Sequence, residues 1–105
     1  MTNKNEIAAI GSSDVILIFN AVGIRTFQTL DTIAVDRIIF ELANENYKII
    51  YISEDLYEKI PDVIEKYHNK TFPILIPIPT SLDAKGIGLK KIKENVEKAI
   101  GFDIF

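Results

Sequence analysis

The chain contains no cysteine and no tryptophan, and it has a single histidine, His68. The lack of cysteine excludes disulfides, thiol catalysis and cysteine-ligated zinc or iron–sulfur centres. One histidine cannot form a histidine cluster, and His68 lies in a polar stretch with Asn69 and Lys70. We therefore interpret His68 as a surface residue, and we expect no bound metal and no cofactor.

Long apolar runs and an excess of positive charge are also missing. The longest apolar runs, such as residues 74–78, are far too short to cross a bilayer. The first six residues lack the basic start and apolar stretch of a signal peptide. The formal net charge is −3, which disfavours general nucleic-acid binding. These observations are compatible with a location in the cytoplasm, and they predict neither insertion into a membrane nor general binding of nucleic acid.

What the sequence does contain is enough apolar material for one core. It has 105 residues, 48% of them hydrophobic, which fits one folded domain. The charge is uneven. Residues 85–98 hold five lysines and two glutamates, a net charge of +3, so the rest of the chain has a net charge of −6 and the whole chain a net charge of −3. The final segment is therefore positively charged, whereas the rest of the chain is negatively charged.

Short apolar strands alternate with helical stretches along the body. Strands are predicted at residues 7–10, 24–28, 47–52 and 72–78. The helices between them are predicted to reach Ala21, Asn44 and about Tyr67, with Pro61 dividing the third. Asp31 or Thr32 can cap the second helix, whose inner positions recur at helical spacing: Val35, Ile38, Ile39, Leu42 and Ala43.

Strand–helix alternation predicts an α/β fold with a parallel sheet flanked by helices, of Rossmann-like or receiver-like type. Pro73, Pro77 and Pro79 cannot donate ladder hydrogen bonds, so the fourth strand belongs at an edge. The order 2-1-3-4 satisfies this. We expect a sheet domain over residues 1–79, a linker over 80–88, and a C-terminal helix and tail over 89–105.

Polar residues follow the first and third strands, where ligands bind in such sheets: Ser12, Ser13, Asp14, Ser53, Glu54 and Asp55. One interpretation is a magnesium or phosphate site like that of phospho-acceptor receiver domains. Ser53, however, stands where the acceptor aspartate belongs, and a fifth strand is missing. We favour the alternative that these residues cap helices.

The C-terminal helix carries the strongest binding pattern. Gly86, Ile87 and Gly88 lack the spacing of a phosphate loop and suit a hinge. Leu89, Ile92, Val96 and Ala99 then follow the 3-4-3 spacing of a helix that packs against another helix, and Ile100 widens this seam. The seam can cover the fourth strand of its own sheet or dock on a partner. We predict that these eight residues bind a partner.

The order of these features resembles that of the F subunits of the V/A-type rotary ATPases. The resemblance rests on residues 7–11, on 19–24, on 50–54, and on the Pro-rich strand 73–81 followed by 86–89 and 96–101. It spans nearly the whole chain, and the Pro-rich strand with the Gly-linked helix is its most specific part. One departure is Ser12-Ser13, where many relatives place an aspartate directly after the glycine.

The resemblance implies a non-catalytic rotor part. In the family, the F subunit pairs with the coiled-coil D subunit in the central stalk, which turns within the ring of A and B subunits and connects to the membrane rotor. The stalk helps couple ATP hydrolysis or synthesis to proton or sodium transport. A receiver-like or phosphocarrier-like signalling domain is the alternative, and a small α/β enzyme, which lacks an assembled site, is a third possibility.

Overall fold

The computed structural model describes residues 4–11, 15–79 and Glu94. Its elements follow in chain order: a 3₁₀ turn at Lys4–Glu6, β1 at Ile7–Gly11, α1 at Val15–Ala21, β2 at Arg25–Gln28, α2 at Thr32–Asn44, β3 at Ile49–Ser53, α3 at Glu54–Tyr57, α4 at Pro61–His68 and β4 at Ile74–Ile78. The α/β alternation is confirmed. The C-terminal helix on its glycine linker lies outside the described residues, apart from Glu94, which is helical and exposed.

All four strands form one parallel sheet in the order β2-β1-β3-β4, as predicted. The prolines explain the position of β4. The backbone N–H of Ile74 donates to the carbonyl of Lys48 at 2.8 Å, so alternate residues from Ile74 onward face β3. Pro73, Pro77 and Pro79 occupy the intervening positions, which face the free edge. The missing N–H groups therefore cost the sheet no ladder bonds.

Each face of the sheet has its own buried cluster, because successive strand residues point to opposite sides. On the first face, Ile7, Ala9 and Tyr51 pack against α1, chiefly against Ile16 and Phe19. The second face is covered by three helices, and its cluster contains the following residues: Ala8, Ile10, Val35, Ile39, Leu42, Ile50, Ile52, Leu56, Ile60, Val63 and Tyr67. The continuous burial of β1 and of most of β3 follows from this double cover.

The residues at the helix ends have side chains or backbone preferences that suit those positions. Asp31, rather than Thr32, is the N-cap of α2, since its Oδ1 accepts the N–H of Ile33 at 2.9 Å. Asn46 ends that helix in the left-handed region, with φ of 66°, a conformation that asparagine tolerates. Gly23 has φ of 86° at the turn after α1. Pro61 begins α4 at its first turn, where a missing N–H costs nothing.

Three strands begin later than the sequence predicted. Tyr47 and Lys48 precede β3, because their N–H groups donate to Leu42 and Glu6 carbonyls at 3.0 and 2.8 Å. Ile24 belongs to the turn after α1, where its N–H donates to the Phe19 carbonyl. β1 and β3 each extend one residue further than predicted, to Gly11 and Ser53. These shifts leave the topology unchanged.

Candidate interaction surface

The end of β1, one of the strand ends where a ligand would bind in this fold, is packed against an apolar side chain. A methyl group added to Gly11 would overlap the side chain of Ile16 and would lie 3.1 Å from Cβ of Ser53. Ile16 is itself buried, at the start of α1. The side chain of Ile16 thus packs against the end of β1, close to the end of β3.

The helix cap predicted at Ser53, the last residue of β3, is wrong. Ser53 is fully buried at the N-cap position of α3, although its hydroxyl makes no cap hydrogen bond to that helix. The carboxylate of Asp55 accepts the N–H of Leu56 at 2.9 Å, and Glu54 is exposed. Ser12, Ser13 and Asp14 lie outside the described residues. Within the described ranges, no three Asp, Glu or His side chains converge as metal ligands would.

His68 is exposed at the end of α4. It borders a shallow cleft of about 130 Å³ that includes Tyr67, Lys70 and Pro73. The Lys70 ammonium lies 5.2 Å from the centre of the Tyr67 ring, a cation–π distance. The cleft brings together aromatic and cationic groups, not an acid–base pair.

The residues predicted to bind a partner all lie outside the described residues. They are Gly86, Ile87, Gly88, Leu89, Ile92, Val96, Ala99 and Ile100. The predicted linker over 80–88 lies there too, as does the tail over 89–105 apart from Glu94, so the boundaries remain predictions.

The outer side of α2 carries an apolar surface that was not predicted from the sequence. Ile33 and Phe40 are 80% and 56% exposed, and Leu30, just before the helix, is 68% exposed. Arg37 lies between Ile33 and Phe40 and is also exposed. We call Ile33, Arg37 and Phe40 the α2 outer stripe. The signal was present in the sequence: α2 contains more large apolar residues than its inner positions require.

Ion pairs border this helix on several sides. Arg25 pairs with Glu45 at 3.3 Å, and Lys66 of α4 approaches Asp36 at 3.7 Å. A hydrogen bond that Arg25 donates to the Tyr47 side-chain oxygen raises the pKa of Arg25, with smaller contributions from the charges of Tyr47 and Glu45 and a partly opposing effect of desolvation. Arg37 takes part in no ion pair with another residue of the described ranges. Its charge is available to a carboxylate from outside them.

No helix in the described part of the chain is both long enough and apolar enough to cross a bilayer.

Comparison with known proteins identifies the family. Residues 7–96 match the family model described as ATP synthase (F/14-kDa) subunit. The chain is 41% identical over 99 residues to the F subunit of the V-type ATP synthase of Fusobacterium nucleatum, covering 94% of each protein. It is 33% identical over 104 residues to that of Clostridium perfringens, covering 99% of each. It is 31% identical over 99 residues to that of Clostridium botulinum strain Eklund 17B, covering 94% of this chain and 96% of the relative.

The family match covers both the described sheet and most of the C-terminal segment, in agreement with the resemblance found in the sequence. The chain therefore belongs to the family of ATP synthase (F/14-kDa) subunits, as an F subunit of the V-type ATPases.

Proposed function

We propose that the chain is a non-catalytic rotor subunit of the central stalk. In this role it pairs with the coiled-coil D subunit and helps couple ATP hydrolysis or synthesis to ion transport. The observation that carries the proposal is family membership over residues 7–96. Exposed apolar side chains such as those of Ile33 and Phe40 support it, because such side chains are typical of surfaces that bind other proteins.

The same proposal names the partners and the location. The D subunit is the direct partner, with the A/B catalytic ring around the stalk and the membrane-rotor connector below it. The chain then lies in the cytoplasm, peripheral to the membrane as part of a membrane-bound complex. ATP chemistry belongs to the ring, and this chain transmits torque as a rigid body clamped to the shaft.

The C-terminal segment is the first part proposed to meet the D subunit. Its seam of Leu89, Ile92, Val96 and Ala99 has the spacing of helix pairing, and the hinge at 86–88 lets it reach outward. Its net charge of +3 over residues 85–98 favours an acidic partner surface. Such charges chiefly set association rate and register. Glu94, the described residue of this segment, is helical and exposed, as expected for a position off the seam.

Affinity purification tests the assembly. A tagged chain purified from native membranes in mild detergent should bring the A, B and D subunits with it, identified by mass spectrometry. Purification at an ionic strength that disperses loosely bound proteins serves as the control. Recovery of a histidine kinase or phosphotransfer protein, without ATPase subunits, would support the signalling alternative instead.

Replacing Ile92 and Val96 together by aspartate tests the seam. Each carboxylate would enter an apolar contact without a partner, so affinity for the purified D subunit should fall by at least about tenfold. Ile92→Leu with Val96→Ile is the matched control and should bind like the parent. If the aspartate variant unfolds in circular dichroism while the control does not, the seam serves the protein's own core. Unchanged binding by a folded variant excludes both roles.

A further inference from the structure

The cleft beside His68 lies against the outer strand of the sheet. It has a volume of about 130 Å³, and residues of α3, α4 and β4 and of the turn between α4 and β4 border it: Tyr57, Ile64, Tyr67, His68, Lys70, Pro73, Ile74 and Leu75. Pockets for drug-sized ligands have volumes of about 300–1,000 Å³, and a water molecule takes about 30 Å³. The cleft therefore has room for a group the size of a side chain.

The backbone of β4 provides one hydrogen-bond donor at this edge. The N–H of Ile74 donates to the carbonyl of Lys48, on the side of β3, so the N–H of Leu75 points to the free edge. Pro73 and Pro77, on either side of Leu75 along that edge, have no N–H. An added strand would need a donor at every second residue. The single N–H of Leu75 suits one acceptor group instead.

Side chains at the cleft add further donors. Tyr67 is only 4% exposed, and its hydroxyl makes no hydrogen bond with another described residue. The Lys70 ammonium lies 5.2 Å from the centre of the Tyr67 ring and forms no ion pair within the described ranges. His68, which also borders the cleft, has an N–H donor in either protonation state.

The absence of carboxylates distinguishes this cleft from the one beside α2. The acidic residues of α3 and α4 are not among its bordering residues: Glu54, Asp55, Asp62 and Glu65. Lys59 also lacks an ion pair within the described ranges, but the cleft that it borders includes Asp36 and Asp62. The border of the cleft at β4 is neutral or positive throughout, which favours an anion.

The apolar part of the border limits the kind of anion. Ile64, Pro73 and Leu75 contribute hydrocarbon surface, which inorganic phosphate would leave without a contact. A carboxylate on a short carbon chain uses both the donors and this surface. We propose that the cleft binds a carboxylate on an apolar stem, held by the Lys70 ammonium, the Leu75 N–H and the Tyr67 hydroxyl. This inference does not depend on the proposed function.

Titration of the full chain with butyrate at pH 7, followed by nuclear magnetic resonance, tests the site. The amide signal of Leu75 and the ring signals of Tyr67 should shift saturably, with a Kd of about 1–10 mM, as expected for so small a ligand. Butyramide has nearly the same shape without the charge, and inorganic phosphate has charge without the stem. At equal ionic strength, neither should saturate these signals in the same range.

Three variants show which groups hold the carboxylate. Lys70→Gln should weaken butyrate binding by at least about fivefold, because it removes a charged donor. Tyr67→Phe keeps the buried ring and should weaken binding by about threefold. Lys59→Gln is the matched control, since Lys59 is an exposed lysine without an ion pair within the described ranges and borders the other cleft. It should bind butyrate like the parent.

Several results would overturn the inference. They are the absence of saturation by butyrate, equal binding of butyramide, tighter binding of phosphate than of butyrate, and an equal loss in Lys59→Gln and Lys70→Gln. A glutamate side chain of another protein and a free organic acid share the proposed chemistry, and a short blocked peptide with a central glutamate separates them. Binding of the peptide at least as tight as that of butyrate supports a protein side chain. Exclusion of the peptide, with butyrate still bound, supports a free organic acid.

Discussion

Ile33 and Ile39 are the same residue type in the same helix, yet Ile33 is 80% exposed and Ile39 is fully buried. Ile39 belongs to the inner side of α2, which packs on Ala8, Ile10, Ile50 and Ile52 of the sheet. Ile33 belongs to the outer stripe, which faces away from that cluster. The comparison shows that apolar content alone does not separate core from interface. One side stabilises the fold, and the other is exposed.

The largest expected effect comes from truncating the two isoleucines in parallel. Ile39→Ala should lower the free energy of unfolding by about 2–5 kcal/mol, because it removes buried methyl groups and leaves a cavity. Ile33→Ala changes the same atoms on the outer side and should stay within about 0.5 kcal/mol of the parent. Urea unfolding followed by far-UV circular dichroism measures both. A similar loss of unfolding free energy for Ile39→Ala and Ile33→Ala would contradict the distinction between the inner and outer sides of α2.

A smaller effect on stability is expected at Asp31, the N-cap residue of α2. Asp31→Ala removes the acceptor of the Ile33 N–H and should cost about 1 kcal/mol. Thr32→Ala is the control, because Thr32 is the first residue inside the helix. A larger loss of stability for Thr32→Ala than for Asp31→Ala would mean that the cap is assigned to the wrong residue.

The smallest effect at neutral pH is expected on the opposite face of the sheet. Burial raises the pKa of Tyr51 above its usual value of 10.0, and its ring lies 5.0 Å from that of Phe19. A raised pKa means that the folded state holds the proton more tightly. The associated stability is complete below pH 10 and falls as the pH rises through the pKa of the folded state.

Tyr51→Phe should therefore unfold much like the parent at pH 7 and become relatively more stable above about pH 10. Urea titrations at about pH 7, 9, 10 and 11, on both sides of the usual tyrosine pKa, measure the difference between the two proteins. A constant difference across this range would show that ionisation of Tyr51 plays no part in alkaline unfolding.

Most of the fold could be predicted because the decisive residues act locally. The prolines of β4 act through their own missing N–H groups, so they identified an edge strand before any contact was known. Asn46, Gly23 and Pro61 likewise mark ends and turns by their own backbone preferences. The strand order followed from these residues and from the alternation of elements.

The features of the surface depend on distant contacts and were harder to predict. Nothing near Gly11 in sequence shows that the side chain of Ile16 packs against Gly11 or that Ser53 lies beside it. The late start of β3 depends on Lys48 donating to Glu6, which directly precedes the neighbouring strand β1 and is far away in the sequence. Ile33 and Phe40 of the outer stripe are residue types common in a core, and only their position away from the sheet reveals their exposure. The C-terminal seam stays a prediction.

The central claim is that this chain works by binding a partner and not by chemistry. Isothermal titration of the full chain, first with the purified D subunit and then with Mg-ATP, tests it most directly. The account predicts saturable one-to-one binding of the coiled-coil partner and no stoichiometric heat with Mg-ATP. Tight, stoichiometric binding of Mg-ATP together with no detectable binding of that partner would contradict it.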